Sequence, residues 1–86
     1  MQIEYTRHAR EKFSALERHG CPVTTDQVEA TVRMPDSLEA DPPGRWIAQR
    51  GLDERRVLRV VYRQDRDLRV IITFYPGRRE RYAPQL

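Results

Sequence analysis

Apolar residues recur every three or four positions in the first third of the chain, which is the spacing of one face of a helix. Thr6 is placed to cap such a helix and a glycine is placed to end it, so the pattern predicts a first helix over 7–19. Thr24, with Gln27 three residues later, forms a capping-box sequence. It predicts a second helix over 25–33, which ends before a proline because the residue preceding proline disfavours helical geometry.

After the second helix the hydrophobic period falls to two, which is typical of half-buried strands. Turn-forming residues separate four candidate strands, at 37–40, 45–50, 55–64 and 68–75. Alternate side chains of a strand point to opposite faces. One face of the last two strands is apolar and is predicted to pack on the helices: Leu58, Val60, Tyr62, Leu68, Val70, Ile72 and Phe74. The other face carries three arginines and two hydroxyl groups: Arg59, Arg63, Arg69, Thr73 and Tyr75.

These elements predict a single α+β domain over 1–86, in which two N-terminal helices pack on one face of a three- to four-stranded antiparallel sheet. Residues 1–34 form a helical hairpin, 35–76 an antiparallel meander and 77–86 a polar tail. With 86 residues and 38% hydrophobic content, the chain can build one small core but no large enclosed cavity. Any site is therefore expected to be a shallow groove.

Several classes of protein are disfavoured by the same residues. No run approaches the roughly 20 apolar residues of a membrane span, and the first ten residues lack the apolar core of a secretory signal. Cys21 is the only cysteine and cannot form an internal disulfide. His8 and His19 would lie about 16 Å apart along a helix, too far to share an ion. We expect a cytoplasmic protein with no membrane contact, no metal and no cofactor.

The charge is unevenly distributed along the chain. The sequence has 15 arginines but one lysine, and its net charge of +3 combines −3 over 1–41 with +6 over 42–86. The guanidinium group binds phosphate and carboxylate through two parallel hydrogen bonds, which lysine cannot do. The base composition of a genome is an alternative explanation for the ratio of arginine to lysine. It does not explain why the excess falls in the predicted sheet.

The arginine-bearing sheet face is suited to single-stranded nucleic acid. Its arginines would contact phosphates, while Tyr75, and also Tyr82 or Trp46, would stack on bases. The alternative is a solvated face on which arginine stems cover aliphatic side chains. His8 is predicted at the margin of the apolar stripe of the first helix, where an imidazole can exchange protons near neutral pH. A boundary histidine with an ordinary hydrogen bond is the alternative reading.

Five short segments, taken in order, resemble a family of small bacterial proteins with an uncharacterised domain, placed beside the RelE-type toxins in the barnase, EndoU, colicin and RelE superfamily. The resemblance covers residues 3–76. The segments are Thr6-Arg7-His8-Ala9-Arg10, Glu17-Arg18-His19-Gly20, Met34-Pro35-Asp36, Leu58-Arg59-Val60-Val61-Tyr62 and Val70-Ile71-Ile72-Thr73-Phe74-Tyr75-Pro76. No single segment is specific, but their order and spacing are.

The resemblance implies a RelE-like fold and a metal-independent endoribonuclease that uses the ribose 2′-hydroxyl as its nucleophile. Such a reaction needs a base, positive charge at the phosphate and an acid for the leaving 5′-oxygen. The implied catalytic residues are His8, Thr73 and Tyr75, with Arg59 as the phosphate clamp. Side chains expected to bind RNA are Arg63, Arg69, Tyr82, Arg78 and Arg79. Because His8 belongs to the helical layer, it can meet the arginine face only at an open edge of the sheet.

The partners remain open at this point. A toxin-related RNA-binding domain would contact RNA or the ribosome. The alternative is a non-catalytic interaction module whose basic face binds an acidic partner such as an antitoxin. A third alternative is a homodimer formed through the edge strand at 37–40.

Overall fold

The chain forms a five-stranded mixed sheet with three helices in the computed structural model, which describes residues 1–82. The fold class is α+β, as predicted. In chain order the elements are β1 (Gln2–Tyr5), α1 (Arg7–Arg18), α2 (Thr25–Arg33), β2 (Ser37–Asp41), β3 (Arg45–Gly51), β4 (Arg56–Asp65), β5 (Leu68–Arg78) and α3 (Arg79–Tyr82). No helix within residues 1–82 has the length and apolar character to cross a membrane.

Both predicted helix starts are confirmed by their capping hydrogen bonds. The Thr6 hydroxyl accepts from the backbone N–H of Ala9 at 3.1 Å. At α2 the capping box is complete, because the Thr24 hydroxyl accepts from the Gln27 N–H at 3.1 Å and the Gln27 side chain accepts from the Thr24 N–H at 2.9 Å. Gly20, just after α1, adopts a φ of 77°, a conformation that glycine takes without steric cost.

The sheet order is β1-β5-β4-β3-β2, and its last four strands form the predicted antiparallel meander. The predicted count of three to four strands and the all-antiparallel pairing are wrong, because β1 adds to the free edge of β5 in parallel. Ile3 and Tyr5 of this strand pack against the core, whereas Gln2 and Glu4 are exposed. Parallel addition of β1 therefore buries apolar surface at what would otherwise be an open edge.

The two ends of the chain also differ from the predicted segments. Residues 2–5, expected within the helical hairpin, form β1. Two residues of the predicted polar tail, Gly77 and Arg78, extend β5, and residues 79–82 form α3. The remainder of that tail, 83–86, lies outside the described residues.

The core lies between the sheet and the first two helices. α1 contacts β5, and α2 contacts β3 and β4. Phe13 of α1 packs on Phe74 with ring centroids 4.6 Å apart. The buried cluster consists of Ala9, Val23, Val28, Val32, Ala48, Leu58, Val60, Tyr62, Ile71 and Phe74. We call the side of the sheet that carries the last six of these the core face. The opposite side, which carries Gln49, Arg59, Val61, Thr73 and Tyr75, is the second face.

An irregularity in the β4–β5 pairing changes which side chains of β5 reach the core. Val61 pairs with Thr73 but Tyr62 pairs with Ile71, so Ile72 has no direct partner. Ile71 is consequently buried with 0% exposure in the core, where the alternation predicted Leu68, Val70 and Ile72. Every side chain of β5 before this bulge lies on the face opposite to the one predicted.

Arg69 is the residue most affected by the bulge. It was expected beside Arg59 and Arg63, and that placement is wrong. Its Nη1 donates to the carbonyl of Val32 at 3.0 Å, and its guanidinium lies 5.3 Å from the ring centroid of Tyr62, a core residue. Arg69 therefore caps the C-terminal end of α2, where a cation is favoured by the free carbonyls.

Tyr5 links β1 to α2 and gives the fold a sensitivity to alkaline pH. Its hydroxyl donates to Glu29 Oε2 at 3.0 Å, and burial, followed by this hydrogen bond, raises the pKa of Tyr5 above its ordinary value of 10.0. The unfolded chain releases this proton at lower pH than the folded chain does. The stability contributed by Tyr5 is therefore present below pH 10 and lost as the pH rises further.

We expect the free energy of unfolding to fall above pH 10 by up to about 1.4 kcal/mol per pH unit through this one group. Denaturant unfolding of the wild type and of Tyr5→Phe at a series of alkaline pH values measures it. Since phenylalanine cannot ionise, the difference in stability between the two proteins should shrink with rising pH. A constant difference would show that the pKa of Tyr5 is not raised by folding.

Candidate functional site

His8 reaches the second face around the edge of the sheet. β1 ends before β5 does. Thr6 connects β1 to α1 and is held against β5 by two hydrogen bonds: its N–H donates to the Ile71 carbonyl at 3.0 Å and its hydroxyl donates to the Ile72 carbonyl at 3.1 Å. α1 starts directly after this crossing. Its second residue, His8, places Nε2 3.1 Å from the hydroxyl oxygen of Thr73. The open edge that the predicted site required is therefore present.

Thr73 and Tyr75 carry the site along β5. They occupy alternate positions of one strand after the bulge, so they share the second face and are separated by about 6.8 Å along it. The hydroxyl of Tyr75 accepts a hydrogen bond from Arg59 Nε at 3.1 Å. His8, Thr73, Tyr75 and Arg59 thus form one continuous set of neighbours, and the structure brings together the four residues expected to act in catalysis.

Arg59 is held by the protein itself. Only 9% exposed, it donates from Nη2 to Glu39 Oε1 at 2.6 Å and from Nη1 to the side-chain oxygen of Gln49. Burial acts to lower the pKa of Arg59, but hydrogen bonds to Tyr75 and Glu39 outweigh it and raise that pKa. The guanidinium group is therefore permanently charged, and its hydrogen bonds to Tyr75, Gln49 and Glu39 fix its orientation.

α3 covers the outer side of Arg59. The guanidinium carbon lies 4.3 Å from the ring centroid of Tyr82, a cation–π contact. The same ring lies over Gly77, where a Cβ atom would collide with it. A Cβ atom at Gly51 would likewise come within 2.8 Å of Arg79 Nη2. These two glycines lie opposite the same residue of β4, one on the strand to each side of it. Because they carry no side chain, α3 can approach the sheet backbone there.

The residues expected to bind RNA are scattered by the fold. Arg63 is exposed on the second face. Tyr82 also lies against this face, where its ring contacts the guanidinium group of Arg59. Arg79 donates to the Asp53 carbonyl at 2.6 Å, while Arg78 follows the alternation of the core face and is exposed near Glu80 at 3.8 Å. Arg69 lies on the core face, as described above. The RNA-binding roles of these residues remain predictions, but three of the five, Arg63, Arg79 and Tyr82, lie on the second face.

Three second-face residues were missed by the sequence reasoning. Glu39 and Gln49 hold Arg59, and Arg45 lies directly opposite Arg63. Glu39 and Asp41 alternate with period two in β2, which signals two carboxylates on one face. That signal could have been used, since a strand carrying two carboxylates next to arginine-bearing strands predicts cross-strand ion pairs.

A separate shallow cleft of about 200 Å³ lies on the other side of the sheet, between α2 and the β3–β4 connection. It includes the side chains of Asp26, Thr31, Arg50 and Leu52. Its volume is below the roughly 300 Å³ at which small-molecule pockets begin. The cleft contains no residue of the His8–Arg59 set, so we place the candidate site on the second face.

No three His, Cys, Asp or Glu side chains among residues 1–82 are grouped closely enough to hold a metal ion. Comparison of the chain with protein-family models, with curated proteins and with solved structures found no match.

Proposed function

We propose that the chain is a RelE-like, toxin-related RNA-binding domain that cleaves single-stranded RNA without a metal, using the ribose 2′-hydroxyl as nucleophile. The observation that supports it most directly is the contact between His8 Nε2 and the Thr73 hydroxyl at the open edge of the second face. An exposed imidazole can act as the base and the arginines of the sheet face supply positive charge, which are two of the three features that such a reaction needs. The proposal includes the RelE-like placement of α1 and α2 on one side of the sheet.

His8 acts as the general base. In the tautomer whose Nε2–H donates to the Thr73 hydroxyl, that contact holds the ring at the sheet edge and leaves Nδ1 unprotonated, so Nδ1 accepts the proton of the 2′-hydroxyl. The 2′-oxygen then forms a bond to phosphorus while the bond from phosphorus to the 5′-oxygen breaks. The products are a 2′,3′-cyclic phosphate and a strand with a free 5′-hydroxyl.

Tyr75 acts as the general acid for the leaving 5′-oxygen. The Tyr75 oxygen accepts a hydrogen bond from Arg59 Nε. Because a guanidinium group has no acceptor atom, the phenolic hydrogen is not used in this contact and can be donated to another group. The charged guanidinium stabilises the negative charge that develops on the phenol oxygen during proton transfer. In this assignment Arg59 is a positioning residue that acts through Tyr75. The separation of about 6.8 Å between Thr73 and Tyr75 along β5 leaves room for a phosphodiester between base and acid.

The test is incubation of the purified protein with single-stranded RNA, and with translating ribosomes, in the presence of a chelator. We expect new fragments that end in 2′,3′-cyclic phosphate, identified by mass spectrometry. A matched all-deoxy strand should stay intact, because it lacks the nucleophile. Absence of cleavage in both the free RNA and the ribosome reaction would contradict the proposal, as would equal cleavage of the deoxy strand.

A non-catalytic protein-interaction module is the second candidate, favoured by a group of exposed apolar side chains. Met34, Leu38 and Trp46 are 63%, 48% and 38% exposed; Leu38 lies in β2 at the edge of the sheet, Met34 precedes this strand and Trp46 lies on the neighbouring strand β3. Apolar surface beside a free strand edge favours contact with a protein partner, such as an acidic antitoxin, or with a second copy of the chain. If RNA shows no affinity at low salt while an acidic protein binds, this candidate replaces the first.

A further inference from the structure

Two arginines face each other across β3 and β4 at the end of the second face that α3 leaves open. Arg45 and Arg63 are directly paired in the antiparallel register, so their Cβ atoms are about 4.5–5.5 Å apart. Like charges in this position destabilise a sheet unless an anion compensates them. A pair of guanidinium groups with this spacing is therefore a feature that calls for a negatively charged ligand.

Only one of the two arginines has an ion-pair partner within residues 1–82. Arg45 Nη2 lies 3.0 Å from Asp41 Oδ2, an ion pair in which both side chains are partly exposed. Arg63 is exposed and forms no ion pair with any of residues 1–82. Its other cross-strand neighbour is Val70, which is apolar. Asp65 and Glu4 also lie on the second face by register, but within residues 1–82 neither forms an ion pair with Arg63, so the two guanidinium groups have one ion pair between them.

The arginine pair adjoins the candidate active site. The next row of the second face contains Val61, which pairs with Thr73 on one side and Ile47 on the other. Arg63 lies two residues beyond Val61 on β4, which corresponds to about 6.8 Å along the strand. A strand of nucleic acid that places one phosphate at the His8–Thr73 edge can therefore reach Arg63 and Arg45 with a neighbouring phosphate.

We propose that Arg45 and Arg63 together bind one phosphodiester of the RNA strand, next to the bond that is cut, and that Asp41 occupies Arg45 until the strand arrives. This inference rests on the proposed function and adds the phosphate subsite that Arg59 does not supply, since Arg59 is already paired with Glu39. Guanidinium groups bind phosphate oxygens through paired, charge-assisted hydrogen bonds. Asp41 is a competitor because its carboxylate uses the same donors.

The experiment uses a fluorescent 2′-O-methyl RNA strand, which cannot be cleaved, and measures its affinity over a range of KCl concentrations. Arg45→Gln and Arg63→Gln should each weaken binding and make the plot of log affinity against log salt shallower by about 0.7, the change expected for one lost phosphate contact on a single strand. Arg55→Gln is the matched control, because it removes one exposed arginine at the opposite end of β4. It should leave the slope unchanged.

A pair of variants that remove one negative charge locates the phosphate. Asp41→Asn should tighten binding about two- to fivefold by releasing Arg45, the range expected for loss of an exposed ion pair. Glu39→Gln releases Arg59 and should have little effect. The reverse pattern would place the phosphate at Arg59 and overturn the inference. Circular dichroism of each variant verifies that the fold is retained, which the exposure of these side chains leads us to expect.

The remaining outcomes separate this inference from the proposed function. Cleavage of native RNA, together with unchanged salt slopes in Arg45→Gln and Arg63→Gln, overturns the arginine subsite alone. Altered slopes without cleavage support the subsite and contradict the catalytic proposal. A wild type that binds no strand overturns both. Inorganic phosphate should compete only weakly; competition as strong as that of an RNA strand would show a site for a free anion instead.

Discussion

Replacing His8 with alanine should lower the rate of RNA cleavage by about a hundredfold or more, the contribution usual for one positioned general base. The imidazole is the only group at the sheet edge that we assign to accept the 2′-hydroxyl proton. Because His8 is exposed and its one ring hydrogen bond within residues 1–82 is to Thr73, the substitution should leave stability within about 0.5 kcal/mol of the wild type. Single-turnover cleavage at saturating protein measures the chemical step directly.

Two controls distinguish a base from a structural residue. His19→Ala removes the other histidine of the chain, which is exposed at the C-terminal end of α1, and should not alter the rate. Added imidazole should partly restore cleavage by His8→Ala, since a small molecule can enter the vacated space and accept the proton. A His8→Ala protein that cuts as fast as the His19→Ala protein would remove His8 from the mechanism.

Replacing Arg59 with alanine should reduce the free energy of unfolding by about 2–4 kcal/mol. The substitution removes hydrogen bonds to three groups at once and leaves the side-chain oxygen of Gln49, a residue that is 5% exposed, without its donor. It also removes the cation beneath the Tyr82 ring. Glu39 is largely exposed and regains water, so the loss stays below that of a fully buried ion pair.

Urea unfolding of three variants tests this effect. Arg63→Ala is the matched control, because Arg63 lies on the same face of the same strand but is exposed, and its substitution should change stability by no more than about 0.5 kcal/mol. Arg59→Lys keeps the charge but not the planar fork and should fall between the two. Equal stability of Arg59→Ala and Arg63→Ala would show that the Arg59 contacts contribute nothing to the fold.

The helices and the antiparallel meander were predictable because their signals are local. Thr24 and Gln27 are three residues apart and cap α2 by themselves. Each pair of neighbouring strands in the meander is joined by a short turn, so the period-two pattern and the turn residues together determine which strands pair.

β1 and the β4–β5 bulge could not be predicted in the same way. β1 is four residues long and pairs with a strand more than 60 positions away, so no local sequence signal indicates which strand it pairs with. The bulge falls in a run of three consecutive apolar residues, Val70-Ile71-Ile72, which looks equally suited to either face. Because of the bulge in that run, Arg69 lies at the end of α2 and not on the second face, where alternation predicted it.

The candidate site was predictable in its residue types and not in its contacts. The resemblance implied His8, Thr73, Tyr75 and Arg59, and alternation put the last three on one face. Whether His8 joins them depends on where β1 ends relative to β5, which is a property of the long-range parallel pairing. The carboxylate that pairs with Arg59 likewise depends on the register of β2, three strands away from the histidine.

The parallel pairing of the first strand with the last has a consequence for synthesis on the ribosome. β1, α1 and α2 emerge first, yet β1 has no neighbour and α1 no sheet to cover until β5 has been translated. Domains generally fold as units as they leave the ribosome. The two halves of the His8–Thr73 contact are 65 positions apart in the chain, so a nascent chain carries the histidine without the hydroxyl group that it contacts. The second face and its candidate site therefore cannot assemble before β5 has left the ribosome.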